Sequence, residues 1–363
     1  MRVVLAAPIT EFGGVWRHVV DVATGLQVRG CDVSLGLPDA ATDLRCSAAT
    51  LGLTCRSFGD VGDTDVWHVH VADTFDRSFV TALARARSSV PAVLMTEHLP
   101  RTDASDPSAM SPGEPRSVGS WSAKTAFKRA EYLLCDRIIC VSQASANFLQ
   151  IRYGVSGAAI DVVPNGISQD DAPIPDASTD PYFAAVGSVI RQKGFDLLLD
   201  AAIQAKEPWR VVVVGDGAHL ATLSARAAEL GSPVEFLGRR DDVPAVLGAS
   251  LGLVLPSRWE SWPYVVMEAM ALGRPVVAAG VDGVPEIVVP GETGLLVPPE
   301  DAVGLAGALD LLASDPDLGI RLGEAGRTRA RSFSLDTMVD TLLARYESSS
   351  ARRRRPVRSG RRP

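Results

Sequence analysis

The sequence predicts an α/β fold built from two parallel sheets. Short apolar runs of about four to seven residues alternate with longer amphipathic stretches along most of the 363 residues, which is the pattern of βαβ units. A stretch rich in proline and aspartate interrupts this alternation near the middle of the chain, and the alternation then restarts. Two doubly wound domains in series are therefore the simplest architecture.

Six strands are predicted in the first half of the chain, separated by amphipathic stretches that we expect to be helical. The strand segments are residues 3–8, 32–37, 66–71, 92–97, 137–142 and 161–164. Residues 15–28 and 122–135 are the predicted helices with the clearest pattern. We expect a first domain over residues 1–170.

A second set of strands follows a segment whose composition cannot form a core. Residues 171–181 concentrate proline and aspartate and are the predicted linker. The later strand segments are residues 183–189, 210–214, 234–238, 252–256, 275–279 and 294–298. We expect the second domain over residues 182–333, followed by a helix at 334–347.

The distribution of charge argues against a general nucleic-acid-binding protein. The formal net charge is -7 although residues 348–363 contain seven arginines and no acidic residue, so the rest of the chain is more acidic still. Nonspecific nucleic-acid binding requires many Lys and Arg contacts to phosphates. We expect the arginine-rich tail to be disordered, and it is either simply solvated or held at an anionic membrane surface.

The sequence predicts a cytoplasmic protein. No apolar run approaches the roughly 18 to 20 residues of a membrane-spanning helix, and the apolar start at residues 3–8 lacks the cleavage pattern of a signal peptide. The five cysteines form no CxxC pair, so we expect them to be buried or incidental thiols in a reducing compartment.

Residues 254–278 carry the strongest functional signal. They read VLPSRWESWPYVVMEAMALGRPVVA, which predicts a strand, a loop with Glu260, a helix that begins near Pro263, and another strand. Because this helix is apolar on nearly every side, we expect Glu268 to be buried and to need partners, which the vicinal hydroxyls of a ribose can supply. The alternative from the residues alone is a solvated loop glutamate and a glutamate on the wet edge of a helix.

Glu260 and Glu268, separated by seven residues, resemble the signature of the retaining GT-B glycosyltransferases of family GT4. Other segments follow in the order typical of that family: GG at 13–14, TEH at 96–98, PNG at 164–166, GSVIRQKGFDLLLDA at 187–201, VVGDG at 213–217 and FLGRRDDV at 236–243. The resemblance covers residues 1–347 and is strongest after residue 183. It implies two Rossmann-like domains facing a cleft, with the helix at 334–347 returning to the first domain.

The resemblance also implies which residues bind a nucleotide-sugar donor. They are Gly13, Gly14, Arg191, Lys193, Arg239, Glu260, Ser261, Trp262, Tyr264 and Glu268. Glu260 and the free amides of the following helix turn would bind the sugar hydroxyls, whereas Pro263 has no N–H to donate. Asp282 and Glu286, in VDGVPEIV, resemble a further donor-facing loop.

Arg191 and Lys193 are implied to bind the diphosphate and to offset the charge that develops on it as the glycosidic bond breaks. From the residues alone, both can equally be solvated loop cations. Together with Glu260 and His98 they form the implied catalytic set. His98 ends the strand at residues 92–97 and is implied to contact the donor sugar or the acceptor, the alternative being a purely structural histidine.

No metal or other cofactor is expected. Asp63-Thr64-Asp65 matches the DxD metal motif of the other large glycosyltransferase fold, but it precedes a strand with no partner motif, so we expect a turn. The absence of GxGxxG after the first strand argues against a dinucleotide dehydrogenase. His68 and His70 alternate along a strand and are expected to face a core layer.

The implied reaction is transfer of a hexosyl group, with retention of anomeric configuration, from a UDP- or GDP-linked sugar to a hydroxyl group. The acceptor stays open between a glycan or lipid intermediate and a small-molecule natural product. Two other functions also stay open: a nucleotide-sugar epimerase or phosphorylase of the same fold, and a noncatalytic protein that binds nucleotide sugars.

Overall fold

Two parallel sheets organise the chain. The computed structural model describes residues 1–71, 77–98, 123–168 and 180–354. These residues divide into two compact units. The first contains the described residues up to Gly166 together with those from Leu335 onward, and the second contains those from Ile167 to Ser334.

Seven described strands form the sheet of the first unit. They are β1 (Arg2–Ala6), β2 (Asp32–Leu37), β3 (Thr54–Ser57), β4 (Val66–Val71), β5 (Ala92–Glu97), β6 (Arg137–Cys140) and β7 (Ile160–Val162). They are parallel and lie in the order β3-β2-β1-β4-β5-β6-β7. The order reverses between β1 and β4, and ligands of doubly wound sheets bind outside the carboxyl ends of the strands at such a point.

Helices cover this sheet, which explains why β4 and β5 are buried at every position. The described helices in this part of the chain are α1 (Gly14–Val28), α2 (Thr42–Thr50), α3 (Arg77–Ser89), α4 (Ala123–Leu133) and α5 (Gln143–Tyr153). The apolar face of α1 packs on the strands through residues such as Val19, Val22 and Leu26.

The second unit repeats the arrangement with six strands. They are β8 (Phe183–Val186), β9 (Val211–Val214), β10 (Val234–Gly238), β11 (Gly252–Leu255), β12 (Val276–Ala279) and β13 (Gly294–Val297), in the order β10-β9-β8-β11-β12-β13. Its helices are α6 (Phe195–Gln204), α7 (Leu220–Leu230), α8 (Val243–Ala249), α9 (Tyr264–Ala271), α10 (Val284–Ile287), α11 (Ala302–Ser314) and α12 (Pro316–Ala330). The strand order reverses between β8 and β11.

The last helix, α13 (Leu335–Arg354), belongs to the first unit and packs on α1. Arg29 binds the carboxylates of Asp336 and Asp340 on this helix. The expectation that the chain is disordered from residue 348 is wrong for residues 348–354, because the helix continues with Ser349 and Ser350 buried. The remainder of the arginine-rich tail, residues 355–363, lies outside the described residues.

Every predicted strand segment overlaps an observed strand, and several bounds agree to the residue. The strand β3 was not predicted, because its residues are exposed or half-buried and lack a long apolar run. Of the predicted linker at 171–181, only Asp180 and Pro181 are among the described residues.

Candidate functional site

Glu260 lies at the centre of a polar cluster at the carboxyl edge of the second sheet. It follows β11, and only 5% of the residue is exposed. Its Oε1 atom accepts hydrogen bonds from Ser257 Oγ, at 2.9 Å, and from the ammonium group of Lys193. A cation and a hydroxyl group therefore satisfy this buried carboxylate.

Lys193 reaches Glu260 because a tight turn joins β8 to α6. Arg191–Lys193 form one turn of 3-10 helix, and Gly194 then takes a left-handed conformation with φ 66°. A Cβ atom on Gly194 would lie 2.1 Å from the carbonyl oxygen of Pro256, so the contact between this turn and the loop after β11 requires glycine. The K-G pair of the sequence thus brings Lys193 to the point where the strand order reverses.

Arg258 also connects the turn after β8 to the loop after β11. Its guanidinium group binds the carboxylates of Asp196 and Glu300 and donates a hydrogen bond of 2.7 Å to the carbonyl oxygen of Arg191. The Arg258 amide also donates to the carbonyl oxygen of Gln192, at 2.7 Å. Sequence reasoning missed this residue, although an arginine directly after a buried strand within PSRWES was an available signal.

The loop after β12 holds the backbone of Glu260. The Glu260 amide donates to Asp282 Oδ2 at 3.1 Å, and the Gly283 amide donates to the Glu260 carbonyl oxygen at 3.1 Å. Asp282 has φ 42°, a conformation that a non-glycine residue keeps only when its surroundings impose it. The VDGVPEIV segment therefore positions Glu260 through Asp282, whereas Glu286 is half-buried on α10.

Burial was predicted for Glu268, whereas the structure buries Glu260 instead. Glu268 is half-buried on α9 and not buried, so the expectation that it needs a ligand partner because of burial is wrong. The helix faces the core with Val266, Met267, Ala269 and Met270, which leaves Glu268 on its partly open side.

Trp262 contributes its side chain to packing. Its indole Nε1 donates to Met267 Sδ at 3.2 Å, and its ring lies edge-on to Phe333 with centroids 5.4 Å apart. The helix α9 begins one residue later than predicted, because Pro263 is its N-cap and Tyr264 is its first helical residue. Ser261 is buried in the same loop.

The two other predicted cations of the second unit are exposed. Arg191 begins the 3-10 turn, and its carbonyl group is the acceptor for Arg258. Arg239 follows β10, which is the edge strand of the sheet, whereas Lys193 and Glu260 follow β8 and β11. The structure therefore brings Lys193 and Glu260 together and places Arg239 two strands away from β8.

Gly13 is the N-cap of α1 and Gly14 is its first residue, so both follow β1 at the reversal point of the first sheet. A Cβ atom added at either glycine would meet no atom of the described residues within 4 Å. The amino end of α1 therefore has room beside it, and the unpaired amides of a first helical turn favour an anion.

His98 follows β5 in the first unit, and its amide donates to the carbonyl oxygen of Val71 at 2.8 Å. It is buried next to His18 and His70. His68 is buried as predicted, and its two ring nitrogens lie 2.6 Å from the hydroxyl group of Tyr346 and 2.7 Å from that of Thr96.

Asp63-Thr64-Asp65 lies at the amino end of β4, the edge of the sheet opposite to the histidines. Asp65 Oδ2 accepts a hydrogen bond of 2.9 Å from the Arg2 amide, and Asp63 pairs with the Arg2 guanidinium group. All five cysteines are free thiols. Within the described ranges, no helix combines the length and the apolar character needed to cross a bilayer.

Comparison with known proteins finds similarity to glycosyltransferases. Residues 167–329 match the family described as glycosyl transferases group 1, and residues 49–171 match glycosyltransferase family 4. The chain is 33% identical, over 95% of its length, to the D-inositol 3-phosphate glycosyltransferase of Mycolicibacterium smegmatis, of which the match covers 83%. It is also 27% identical, over 61% of its length, to an uncharacterized glycosyltransferase of Haemophilus influenzae. That match spans 64% of the relative, which is less than two thirds.

The fold agrees with a solved structure. HepE of Anabaena, determined in complex with UDP, matches with a TM-score of 0.77 and 19% identity, over 96% of this chain and 100% of the other. The predicted fold class is confirmed: both units are doubly wound, Rossmann-like α/β units of the GT-B glycosyltransferase type. The chain belongs to the group 1 glycosyltransferases, family 4, which confirms the family resemblance of its motifs.

Proposed function

We propose that this protein is a retaining glycosyltransferase that moves a hexosyl group from a nucleoside diphosphate sugar to a hydroxyl group of an acceptor. The observation that carries the proposal is the contact between Lys193 and Glu260 at the reversal point of the second sheet. The bond that breaks joins the sugar to the diphosphate. Lys193 provides a cation for the diphosphate, and Glu260 provides a carboxylate for the sugar hydroxyls.

The second unit is proposed to bind the donor. Lys193 and Arg191 bind the diphosphate, Glu260 orients the sugar, and Glu268, on the partly open side of α9, accepts hydrogen bonds from the ribose. The amides of Ser261, Trp262 and Tyr264 add donors to the sugar hydroxyls. Arg239 is also proposed to bind the donor, and it approaches from the edge of the sheet because it follows the edge strand β10.

The reaction proceeds on one face of the sugar. The bond between the anomeric carbon and the diphosphate oxygen breaks while the acceptor oxygen bonds to the same face, and the acceptor proton passes to the departing diphosphate oxygen. Lys193 and Arg191 offset the negative charge on that leaving group, so their contribution increases in the transition state. The arrangement uses no protein nucleophile and no metal cofactor.

Three residues of the first unit complete the proposed set. Gly14, with Gly13, lets the diphosphate approach the amino end of α1, where open space and free amides favour an anion. His98 contacts the donor sugar or the acceptor. The donor is a UDP- or GDP-sugar, and UDP bound to HepE favours UDP. The acceptor is a glycan, a lipid intermediate or a small molecule, and the protein acts in the cytoplasm, with the arginine-rich tail available to contact an anionic membrane.

A nucleotide screen followed by product analysis tests the proposal. UDP, GDP, ADP and TDP are compared by thermal shift, since a tight ligand raises the unfolding temperature by mass action. The matching nucleotide sugar is then incubated with pooled acceptors in the presence of a chelator, and the anomeric proton of the product is recorded by NMR. Retention of the anomeric configuration, at a rate of transfer that the chelator does not lower, supports the proposal. An inverted linkage, or conversion of the nucleotide sugar alone or with phosphate only, contradicts it.

A further inference from the structure

Three histidines converge at the carboxyl edge of the first sheet. His18 lies on α1, His70 is near the end of β4, and His98 directly follows β5. Because α1 follows β1, and β1 lies beside β4, these residues surround the point where the strand order reverses. His18, His70 and His98 are 1%, 0% and 7% exposed, so the three side chains form an enclosed cluster and not a surface patch.

The spacing of the three rings suits a tetrahedral metal ion. One nitrogen from each ring lies within 4.8 Å of the other two, and His98 Nε2 is 3.4 Å from His70 Nδ1. A tetrahedral zinc ion with Zn–N bonds of about 2.1 Å holds its ligand nitrogens about 3.4 Å apart. The distance between the nitrogens of His70 and His98 therefore already suits a tetrahedral zinc ion. Small rotations of the His18 side chain would bring its nitrogen to the same distance from the other two.

The chemistry of the rings suits the same ligand. Each of the three buried rings offers one nitrogen to the same enclosed space. Neutral imidazole is the form that binds metal. His70 offers Nδ1, the nitrogen next to His98 Nε2, and the other nitrogen of this ring is also buried.

The contacts of the neighbouring side chains distinguish these three histidines from a fourth, His68. Asn165 lies beside the ring of His18, in the position of an outer-shell partner of a metal ligand. His68 lies next to His70 on the same strand, but hydroxyl groups of Tyr346 and Thr96 occupy both of its nitrogens. His68 is therefore a structural histidine and a natural control.

We propose that His18, His70 and His98 form a binding site for a divalent transition-metal ion, with zinc as the preferred ion and a water molecule as the fourth ligand. Three nitrogen ligands favour zinc over magnesium or calcium, which take oxygen ligands. The ion is not a cofactor of sugar transfer. Because it would occupy His98, it would compete with the contact that His98 is proposed to make with donor or acceptor.

Cobalt binding to the full chain tests the site without any substrate. The protein is prepared without a polyhistidine tag, stripped with a chelator and titrated with Co²⁺, which absorbs visible light strongly when four-coordinate. We expect saturation at one equivalent, loss of the absorption when Zn²⁺ is added, and no competition by Mg²⁺. His70→Gln should weaken Co²⁺ binding by at least about 10- to 100-fold, since loss of even an outer-shell partner costs that much.

Two matched variants control the experiment. His219→Gln removes the exposed histidine of the second unit, and His68→Gln removes the buried histidine whose nitrogens are already bonded; both should retain the cobalt site. The proposal is overturned if the wild-type chain shows no saturable absorption, or if a folded His70→Gln protein binds Co²⁺ as tightly as wild type. If His70→Gln does not fold, a rise in the unfolding temperature of wild type with Zn²⁺ but not Mg²⁺ supports the site, and equal responses overturn it. Failure here leaves the proposed transferase activity intact, because no sugar is involved.

Discussion

The guanidinium group of Arg258 binds the carboxylate of Asp196 through two parallel hydrogen bonds of 2.8 and 2.7 Å. The same group binds Glu300 and the carbonyl oxygen of Arg191. Arg258 thus ties the loop after β11, which carries Glu260, to the turn and helix after β8, which carry Lys193. The distance between the two proposed donor-binding side chains depends on this arginine.

Replacing Arg258 should impair donor use more than it impairs folding. In Arg258→Met the bidentate pair is lost and the turn after β8 is free to shift, so kcat/KM for the donor should fall about 10- to 100-fold, as expected for 1.5–3 kcal/mol of charged hydrogen bonding. Arg258→Lys should recover part of the loss, because it keeps the charge without the planar fork. Steady-state kinetics with varied donor measure both.

Arg240→Met is the matched control for this change. Arg240 also binds an aspartate, Asp242, through two hydrogen bonds of 2.7 and 2.6 Å, but this pair is exposed and lies away from β8 and β11. Exposed pairs contribute little, so kcat/KM should stay near wild type. Equal losses in the two variants would show that Arg258 does not position the donor site.

The pKa of Asp196 should report the loss of the pair. Burial raises the pKa of this carboxyl group, but Arg258 outweighs burial and holds it below the ordinary value. In Arg258→Met burial is opposed only by a backbone hydrogen bond and by the charge of Arg226, so the pKa should rise above that of wild type. Stability that depends on ionised Asp196 would then be lost at a higher pH during acidification. Carbon-13 NMR titration of the aspartate carboxyl groups measures the shift, and an unchanged or lower pKa contradicts the pairing.

The positions of the strands along the chain could be predicted because they are encoded locally. Buried parallel strands are continuous apolar runs, and the segments at 32–37, 66–71, 92–97 and 234–238 agree with the observed strands to the residue. The edge strand β3 has no such run, because its residues are only half-buried, and it was missed.

The burial of Glu260 and Glu268 could not be predicted, because it depends on tertiary contacts. The apolar sequence around Glu268 indicated burial, but α9 leaves this position on its partly open side. Glu260 lies in a polar loop with no periodicity, and it is buried because Ser257, Lys193 and the loop of Asp282 close around it. Each of these contacts joins segments that only the folded sheet brings together.

The contact between Lys193 and Glu260 should make their substitutions non-additive. Lys193→Met leaves a buried carboxylate without its cation, and adding Glu260→Gln removes that unpaired charge. The double variant should therefore lose less transition-state stabilisation than the sum of the single variants, with a coupling of about 0.5–3 kcal/mol from kcat/KM.

The exposed ion pair between Arg226 and Asp200 serves as the reference cycle for that measurement. Its members lie at the surface of α6 and α7, so their coupling should be below about 1 kcal/mol. Strictly additive losses for Lys193 and Glu260 would mean that the two side chains act independently.

Gly194→Ala should destabilise the second unit. The residue has φ 66°, and its new Cβ atom would lie 2.1 Å from the carbonyl oxygen of Pro256. The left-handed conformation alone costs about 1–2 kcal/mol for alanine, and the clash adds to it. Gly231→Ala, at φ 56° with no atom near the added methyl group, isolates the first cost. Urea denaturation compares the two variants, and equal losses would mean that the turn moves away from Pro256 without penalty.

Gly14→Ala should leave the fold intact and weaken the donor. The added methyl group would meet no protein atom within 4 Å, and alanine is the better helix former, so the unfolding temperature should stay the same or rise. If the diphosphate of the donor approaches the amino end of α1, the methyl group occupies part of its space, and kcat/KM for the donor should fall about tenfold, or 1.4 kcal/mol. Gly307→Ala is the control, because that exposed glycine of α11 also has open space around it but lies on the helix surface of the second unit. The Gly307→Ala protein should show the same change in unfolding temperature as Gly14→Ala, and its kcat/KM for the donor should equal that of wild type. A Gly14→Ala enzyme with wild-type kcat/KM would exclude a diphosphate at this helix.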